Sequence, residues 1–315
     1  MPNDSGFPQA RDDIVDVALA GLTASPKTLP ATLFYDDEGC RLFYRITGLP
    51  EYYLTRTETQ LLRAHAAELV PGGWRDAVLV EYGGSDDAKA RFLLDLPGAP
   101  FHTYVSVDVA APALRAMQAR LGGSHPGLRV VPVVADFLLP LRLPVLGGRR
   151  MGFFPGSTIG NLDPDAATRF LAAARDSLGA EAWFLLGADL RKSPAVLLPA
   201  YNDSAGVTAA FNLNLLARLN REAGADFDLE GFRHEAVWND GESRIEMHLV
   251  ARREQAVHLG GRRIRFREGE TIHTENSYKH PPERVIEIAE RAGWRIHKVL
   301  RDTSNWFGMF LFRGR

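Results

Sequence analysis

Five short runs rich in β-branched and aromatic residues, at 76–82, 103–109, 128–136, 149–156 and 182–190, alternate with helical periodicity at 87–96, 111–122 and 163–179. A chain written in that alternation has few ways to fold. Strands that return through helices run parallel and are covered on both faces, so the pattern predicts βαβ units in a doubly wound α/β core. Such sheets bind their ligands outside the carboxyl ends of the strands, and that is where functional residues are sought.

The first strand end reads "VLVEYGGSDDAKARFLL", Val78 to Leu94. A Walker loop needs GxxxxGK[ST], because its lysine and hydroxyl serve phosphate and magnesium, and no such sequence occurs. A dinucleotide site needs GxGxxG with bare helix amides facing a pyrophosphate, whereas Gly83-Gly84 is followed by Ser85-Asp86-Asp87. Carboxylates there repel phosphate. They suit a nucleoside carrying hydroxyls, an amine and a positive centre, a description that S-adenosylmethionine meets. Asp108 ends the second strand, placed to accept hydrogen bonds from a ribose diol. Asp136 and Phe137 end the third, suited to an adenine amine and its ring face. Each has a plainer reading, Asp as the cap of the next helix and Phe as core. Together with "PGSTIGNL" at the fourth strand end they favour a nucleoside pocket.

The flanks differ from this core. Residues 1 to about 75 hold helical patterns broken by "SPKTLP" and "GLPEYY". The stretches 235–259 and 262–275 alternate at period two around Asn239-Asp240-Gly241 and Gly260-Gly261, as antiparallel hairpins do. A helix at 281–293 and strands at 294–302 and 306–314 follow, the last two expected to close the sheet. The reading is a nucleotide-binding core at 62–200 and 281–315, with a second α+β lobe from 1–61 and 201–280.

Net charge near -2 without a basic tract argues against a nucleic-acid partner. No apolar run reaches the ~18 residues of a membrane span. The single cysteine, Cys40, excludes an internal disulfide, and the first residues show no signal-peptide pattern. A cytoplasmic monomer acting on a small molecule is expected. The nine histidines are scattered, with neither HExxH nor paired cysteines, so no metal site is expected.

The segments "LFYDDEGCRLFYRITGLPEYYLTRTE", "GSTIGNL", "AYNDSAGVTAAFNLNLLARLNRE", "ADFDLEGF", "RIEMHL" and "TENSYKH" resemble, in order, the histidine-specific Nα-trimethyltransferases of ergothioneine biosynthesis. The resemblance implies a Rossmann-type, S-adenosylmethionine-dependent methyltransferase core with a second lobe for the amino acid. It implies conversion of L-histidine to its trimethylated betaine, hercynine, with S-adenosylhomocysteine as by-product. It places Tyr35, Tyr52, Asn161 and Tyr201 at the backbone end of the substrate, Tyr35 and Tyr52 being candidates to steer deprotonation of the amine. Glu275 and Ser277 would grip the imidazole beside Met247, and the cofactor would draw on Gly83, Lys89, Asp108, Asp136 and Phe137. One departure is that relatives usually read GSG after the first strand, where this chain has Gly83-Gly84-Ser85 preceded by Tyr82. Methylation of another amino acid such as tryptophan, a binding-only protein of the same fold, and a dehydrogenase are the alternatives.

Overall fold

The computed structural model describes residues 11–84, 86–139, 141–144 and 147–315. Ser85, the departing position of the glycine loop, and the first ten residues lie outside them. The described residues separate into two compact units. One comprises Leu54–Arg191 and Lys279–Arg315; the other comprises Lys192–Tyr278 with the described residues up to Tyr53.

The chain opens with α1 (Arg11–Leu22), a two-residue strand β1 (Lys27–Thr28) and α2 (Asp37–Thr47). The Asp36 carboxylate accepts the Gly39 N–H at 2.7 Å, and Asp37 and Glu38 occupy the first turn of α2, a favourable pairing with the helix dipole. The next helix, α3 (Tyr53–Leu69), runs without a break through residue 61. Leu61, Leu62, Ala66 and Leu69 pack with one face of the sheet that follows, which is why the structure divides at 53/54.

That sheet is built in order from β2 (Ala77–Tyr82), β3 (Phe101–Asp108), β4 (Arg129–Val134), β5 (Arg150–Phe154) and β6 (Trp183–Asp189). Between them stand α4 (Arg91–Leu94), α5 (Ala111–Ser124) and α6 (Pro164–Leu178). All strand pairings from β4 through β3, β2 and β5 to β6 are parallel. The polypeptide then continues through α7 (Pro194–Tyr201), α8 (Val207–Ala223), β7 (Phe232–Asn239), β8 (Arg244–Ala251), β9 (Gln255–Leu259), β10 (Arg262–Phe266) and β11 (Thr271–Tyr278). It returns to the sheet with α9 (Pro282–Arg291), β12 (Trp294–Arg301) and β13 (Phe307–Gly314). The spatial order is β12-β13-β6-β5-β2-β3-β4, with β13 antiparallel to both neighbours. The two C-terminal strands close the sheet, as expected.

Side-chain alternation divides the core between the two faces of the sheet. Val78, Val80 and Tyr82 of β2 pack with Phe170 and Leu171 of α6 and Ile288 of α9. Ala77 and Leu79 pack with Leu62 of α3 and Leu114 of α5. Strand order reverses at β2, whose neighbours are β3 on one side and β5 on the other; a crevice for a ligand opens at the carboxyl end of such a reversal.

Two expectations are corrected. The helix expected over 87–96 is reduced to α4, because residues 86–90 form turns in which Asp87 and Lys89 are drawn to distant partners. The alternating stretch 262–275 is not one strand. Gly269, at φ +77°, turns the chain between β10, paired with β9, and β11, paired with β8. The hairpin reading otherwise holds: β7–β8 turns at 240–243 and β9–β10 at Gly260-Gly261. The second unit thus carries a four-stranded sheet, β1-β11-β8-β7, and a separate hairpin.

Candidate active site

Gly83 ends β2 at φ +76°, a conformation costly for any residue with a Cβ. An added Cβ there would sit 3.6 Å from Cε1 of Phe137, so the structure brings together two residues assigned to the cofactor. At Gly84 the space is closed: a Cβ would lie 2.3 Å from Ser106 Oγ. The turn is tied to β3, with the Gly83 N–H donating to the Val107 carbonyl at 2.8 Å and Ser106 Oγ donating to the Gly84 carbonyl at 2.5 Å.

Asp108 closes β3, and its Oδ1 accepts the Ala110 N–H at 2.8 Å. Burial raises its carboxyl above the ordinary value against the opposing hydrogen bonds from the Ala110 and Val109 backbone. This bond shapes the turn ahead of α5 and does not cap the helix, whose N-cap is Ala110 with no side-chain cap bond, and the desolvated carboxylate retains further acceptor capacity for a ligand. Asp136 likewise accepts the Leu138 N–H at 2.8 Å. The Phe137 ring meets Phe154 and Phe170 edge-on, at centroid distances of 5.5 and 5.7 Å, and is only half-buried. Gly83, Asp108, Asp136 and Phe137 thus stand at the ends of three adjacent strands.

The acids of the glycine loop play another part than expected. Asp87 is buried and paired with Arg91 at 2.9 Å and Arg120 at 2.6 Å, so its charge is neutralised within the protein. Asp86 accepts the Ala88 N–H at 2.7 Å and shapes the turn. Beneath Gly84 lies a third acid, Glu81, which is 3% exposed and accepts the Tyr104 hydroxyl at 2.5 Å. Burial pushes its carboxyl up to about 8, opposed by the Tyr104 hydrogen bond. Burial thus favours its protonated form. The sequence carried a signal for it, a lone acid inside the apolar run "VLVEY".

Lys89 donates to Glu58 of α3 at 2.5 Å. Glu58 was absent from the sequence reading, although its spacing from Leu54 and Leu62 puts it on the buried stripe of α3. In the same unit the segment after β5 carries Asn161 at the end of a 3-10 turn, Thr158–Asn161. Ser157 precedes it at φ +59°, and its Oγ accepts the Asp189 N–H at 2.9 Å. The Asp189 carboxylate pairs with Lys279 at 2.9 Å, both side chains fully buried. This bracing fixes the segment.

The remaining amino-acid candidates lie in the second unit. Met247 on β8 and Glu275 on β11 are direct cross-strand partners, as are Ile245 and Ser277, so these four side chains share one face of the sheet. The Ser277 Oγ is 2.8 Å from the Tyr201 hydroxyl, and the Tyr201 ring stands edge-on to Tyr52 at 6.3 Å. The structure therefore groups Tyr52, Tyr201 and Ser277. Behind them, His234 Nε2 meets the Tyr201 carbonyl at 2.8 Å, and Asn212 Nδ2 meets His234 Nδ1 at 2.9 Å. Burial lowers the His234 pKa. The neutral imidazole donates from Nε2 and accepts at Nδ1. Neither His234 nor Asn212 was singled out in the sequence. Tyr35 is 39% exposed and packs edge-on against Phe43 and Phe211.

On the opposite face of the same sheet, Glu246, His248 and His273 bring potential ligand atoms within 4.8 Å of one another. Burial works to raise the Glu246 carboxyl, but hydrogen bonds from Asn239, Arg244 and His248, with the Arg244 charge, hold it down at about 2. A guanidinium already neutralises this carboxylate.

A seven-stranded sheet with a glycine turn and acids at its carboxyl ends, closed by a reversed last strand, defines a Rossmann-type methyltransferase that uses S-adenosylmethionine. The residues present fit that cofactor: the positive-φ turn at Gly83 faces an aromatic edge, and Asp108 offers a desolvated acceptor. Residues 13–314 match the family model of histidine-specific, S-adenosylmethionine-dependent methyltransferases. The chain belongs to that family. It is 44% identical over 297 residues to the histidine N-alpha-methyltransferase of Mycolicibacterium smegmatis, covering 93% of this chain and 92% of that protein. It is 41% identical over 317 residues to the enzyme of the same name from Mycobacterium tuberculosis, covering 99% and 97%. Ergothioneine biosynthesis protein 1 of Neurospora crassa is 30% identical over 296 residues, 89% of this chain but 32% of the longer fungal protein.

Proposed function

We propose that this chain trimethylates the α-amino group of L-histidine to hercynine in ergothioneine biosynthesis, releasing S-adenosylhomocysteine. The observation that carries the reading is the group on one face of β8 and β11, where Glu275 stands opposite Met247 and Ser277 meets Tyr201. Its support is the likeness over nearly the whole chain to two proteins named histidine N-alpha-methyltransferase.

The unit containing the seven-stranded sheet holds the cofactor, and the other unit supplies most of the amino-acid contacts. Asp108 accepts from the ribose hydroxyls through the capacity left by its Ala110 bond, Asp136 accepts from the adenine amine, and Phe137 offers its half-buried ring. Gly83 lets the chain pass close to the ligand, and the Lys89 ammonium takes the cofactor's carboxylate. When bound, S-adenosylmethionine supplies a methyl group on a cationic sulfur for in-line transfer to a nitrogen lone pair. The protein's task is then alignment and the exclusion of water.

Asn161, Tyr52 and Tyr201 orient the backbone end of histidine. Glu275 accepts the imidazole N–H, Ser277 serves the other ring nitrogen, and Met247 forms the adjacent wall. An α-amine has a pKa of about 8 even in peptides, so the free base must be selected or made. A tyrosine hydroxyl, from Tyr35 or Tyr52, accepts an ammonium hydrogen bond and directs the proton to water. After three methyl groups no lone pair remains, and the reaction stops.

The reading takes a small molecule as the sole partner of a cytoplasmic monomer, and sedimentation at working concentration tests the oligomeric part. The main experiment is mass spectrometry of product after incubation with S-adenosylmethionine and each amino acid in turn. Up to three successive methyl additions to histidine alone are expected. Methylation of tryptophan instead, or cofactor binding without any product, overturns it.

A further inference from the structure

We infer that Glu58 is a positioning residue that holds the cofactor lysine and the Asn161 segment in one arrangement. The inference rests on the assignment of Lys89 to the cofactor. Glu58 sits in the second turn of α3, with its side chain fully buried. Its Oε2 accepts from Lys89 Nζ at 2.5 Å. Both of its oxygens also lie within hydrogen-bonding distance of the Gly156 N–H, at 2.9 and 3.0 Å. One carboxylate thereby joins α3, the turn after β2 and the segment after β5.

The surroundings are shaped to admit it. At Gly187, in the middle of β6, an added Cβ would lie 2.1 Å from Glu58 Oε1, so a side chain there would displace the carboxylate. Gly156 has φ +82°, and its own Cβ would come within 3.4 Å of Lys89 Nζ. Two glycines therefore flank the carboxylate, one giving room to an oxygen and the other a conformation that presents its N–H.

A buried carboxylate without partners is costly, and this one has a cation and a backbone donor. It is also placed to influence function. An ammonium carries three donors on a flexible stem, and fixing one of them on Glu58 limits where the other two can point. The Gly156 bond acts on the next segment: the turn continues with Thr158 Oγ1 donating to the Pro155 carbonyl at 3.1 Å and the Gly160 N–H to the Ser157 carbonyl at 2.9 Å, and it ends at Asn161. Glu58 acts on the cofactor through Lys89, and it sets the origin of the segment that carries Asn161.

Calorimetry with S-adenosylmethionine on Glu58→Gln, Lys89→Met and the double variant tests this. Lys89→Met and Glu58→Gln are each expected to weaken binding about tenfold, and Glu58→Gln to add less than about twofold once Lys89 is gone, the signature of two residues acting as one. The KM for histidine at saturating cofactor should rise in Glu58→Gln but not in Lys89→Met, because a single amide oxygen cannot serve Lys89 and Gly156 together as the two carboxylate oxygens do, and only the former substitution weakens the hold on Gly156. Parental affinity in Glu58→Gln overturns the inference while leaving the Lys89 assignment intact. An equal loss in both backgrounds overturns it as well, since Glu58 would then act through the fold. No effect of Lys89→Met removes the assignment on which it rests. If Glu58→Gln fails to fold, Glu58→Asp replaces it; a shortened carboxylate cannot serve Lys89 and Gly156 together, so unchanged binding in that variant also refutes the role.

Discussion

Replacing Glu81 by glutamine tests whether the acid beneath the glycine turn is neutral. In the folded protein its carboxyl is pushed from the ordinary 4.5 to about 8 by burial. A raised pKa means that the folded state binds the proton more tightly than the unfolded chain. The contribution to stability is then complete below 4.5 and is lost as pH rises from there through 8. At 1.36 kcal/mol per pH unit the loss across that window is about 5 kcal/mol, of which about 3 has accrued at neutral pH. Glutamine has nearly the same shape and still offers an oxygen to the Tyr104 hydroxyl, but it does not titrate. Urea unfolding followed by tryptophan fluorescence between about pH 5 and about pH 9 measures the difference. The variant should gain on the parent as pH rises and level off above 8, the gap between the two curves widening by about 4 kcal/mol over the range. Parallel curves for parent and variant would refute the reasoning, since they require Glu81 to titrate alike in the folded and unfolded states.

Three further outcomes are expected at the ligand residues. Asp108→Ala should weaken S-adenosylmethionine by about 2 to 4 kcal/mol, the worth of hydrogen bonds to a charged acceptor, with histidine affinity little changed; calorimetry giving parental affinity would remove Asp108 from the site. Tyr201→Phe deletes the hydroxyl that meets Ser277, and should raise the KM for histidine and lower kcat while sparing cofactor binding; parental kinetics would make that hydroxyl structural. Glu275→Ala combined with Met247→Val should cut histidine turnover severely and let tryptophan compete, and Glu275→Gln should lose less because its amide oxygen still accepts the imidazole proton. A double variant that still prefers histidine in a competition assay would mean that the imidazole is read elsewhere.

The parallel core was legible because buried strands are written as apolar runs and their ends mark the ligand crevice, which is why Gly83, Asp108, Asp136 and Phe137 stand out as candidates. The helix expected over 87–96 failed for a reason that periodicity cannot see. Asp87 is held by Arg120 and Lys89 by Glu58, partners remote in sequence, and those bonds replace the first turns of a helix. The break at Gly269 was hidden because residues on both sides alternate at period two, and only pairing partners separate β10 from β11. Tyr52, Tyr201, Met247, Glu275 and Ser277 could be named only by resemblance: each is an ordinary residue in its own segment, and the meaning comes from cross-strand register. Glu81 and Glu58 were readable in principle, as acids at positions that should be apolar, but position alone does not tell a protonated acid from an ion-paired one.

The place of β13 has a consequence for how the molecule is made. Its pairing with β6, from Phe307 opposite Asp189 to Arg313 opposite Trp183, spans the intervening chain that forms most of the second unit. Until the chain has looped back, one edge of β6 offers open backbone groups beside side chains as apolar as Phe184, Leu185 and Leu186. Closing so long a loop is slow relative to local helix formation, and an apolar strand edge left waiting is a template for pairing with another molecule. The insertion therefore lengthens the interval in which a nascent or refolding chain is prone to aggregate, and a sheet that is well covered once complete is most exposed at β6 on the way there.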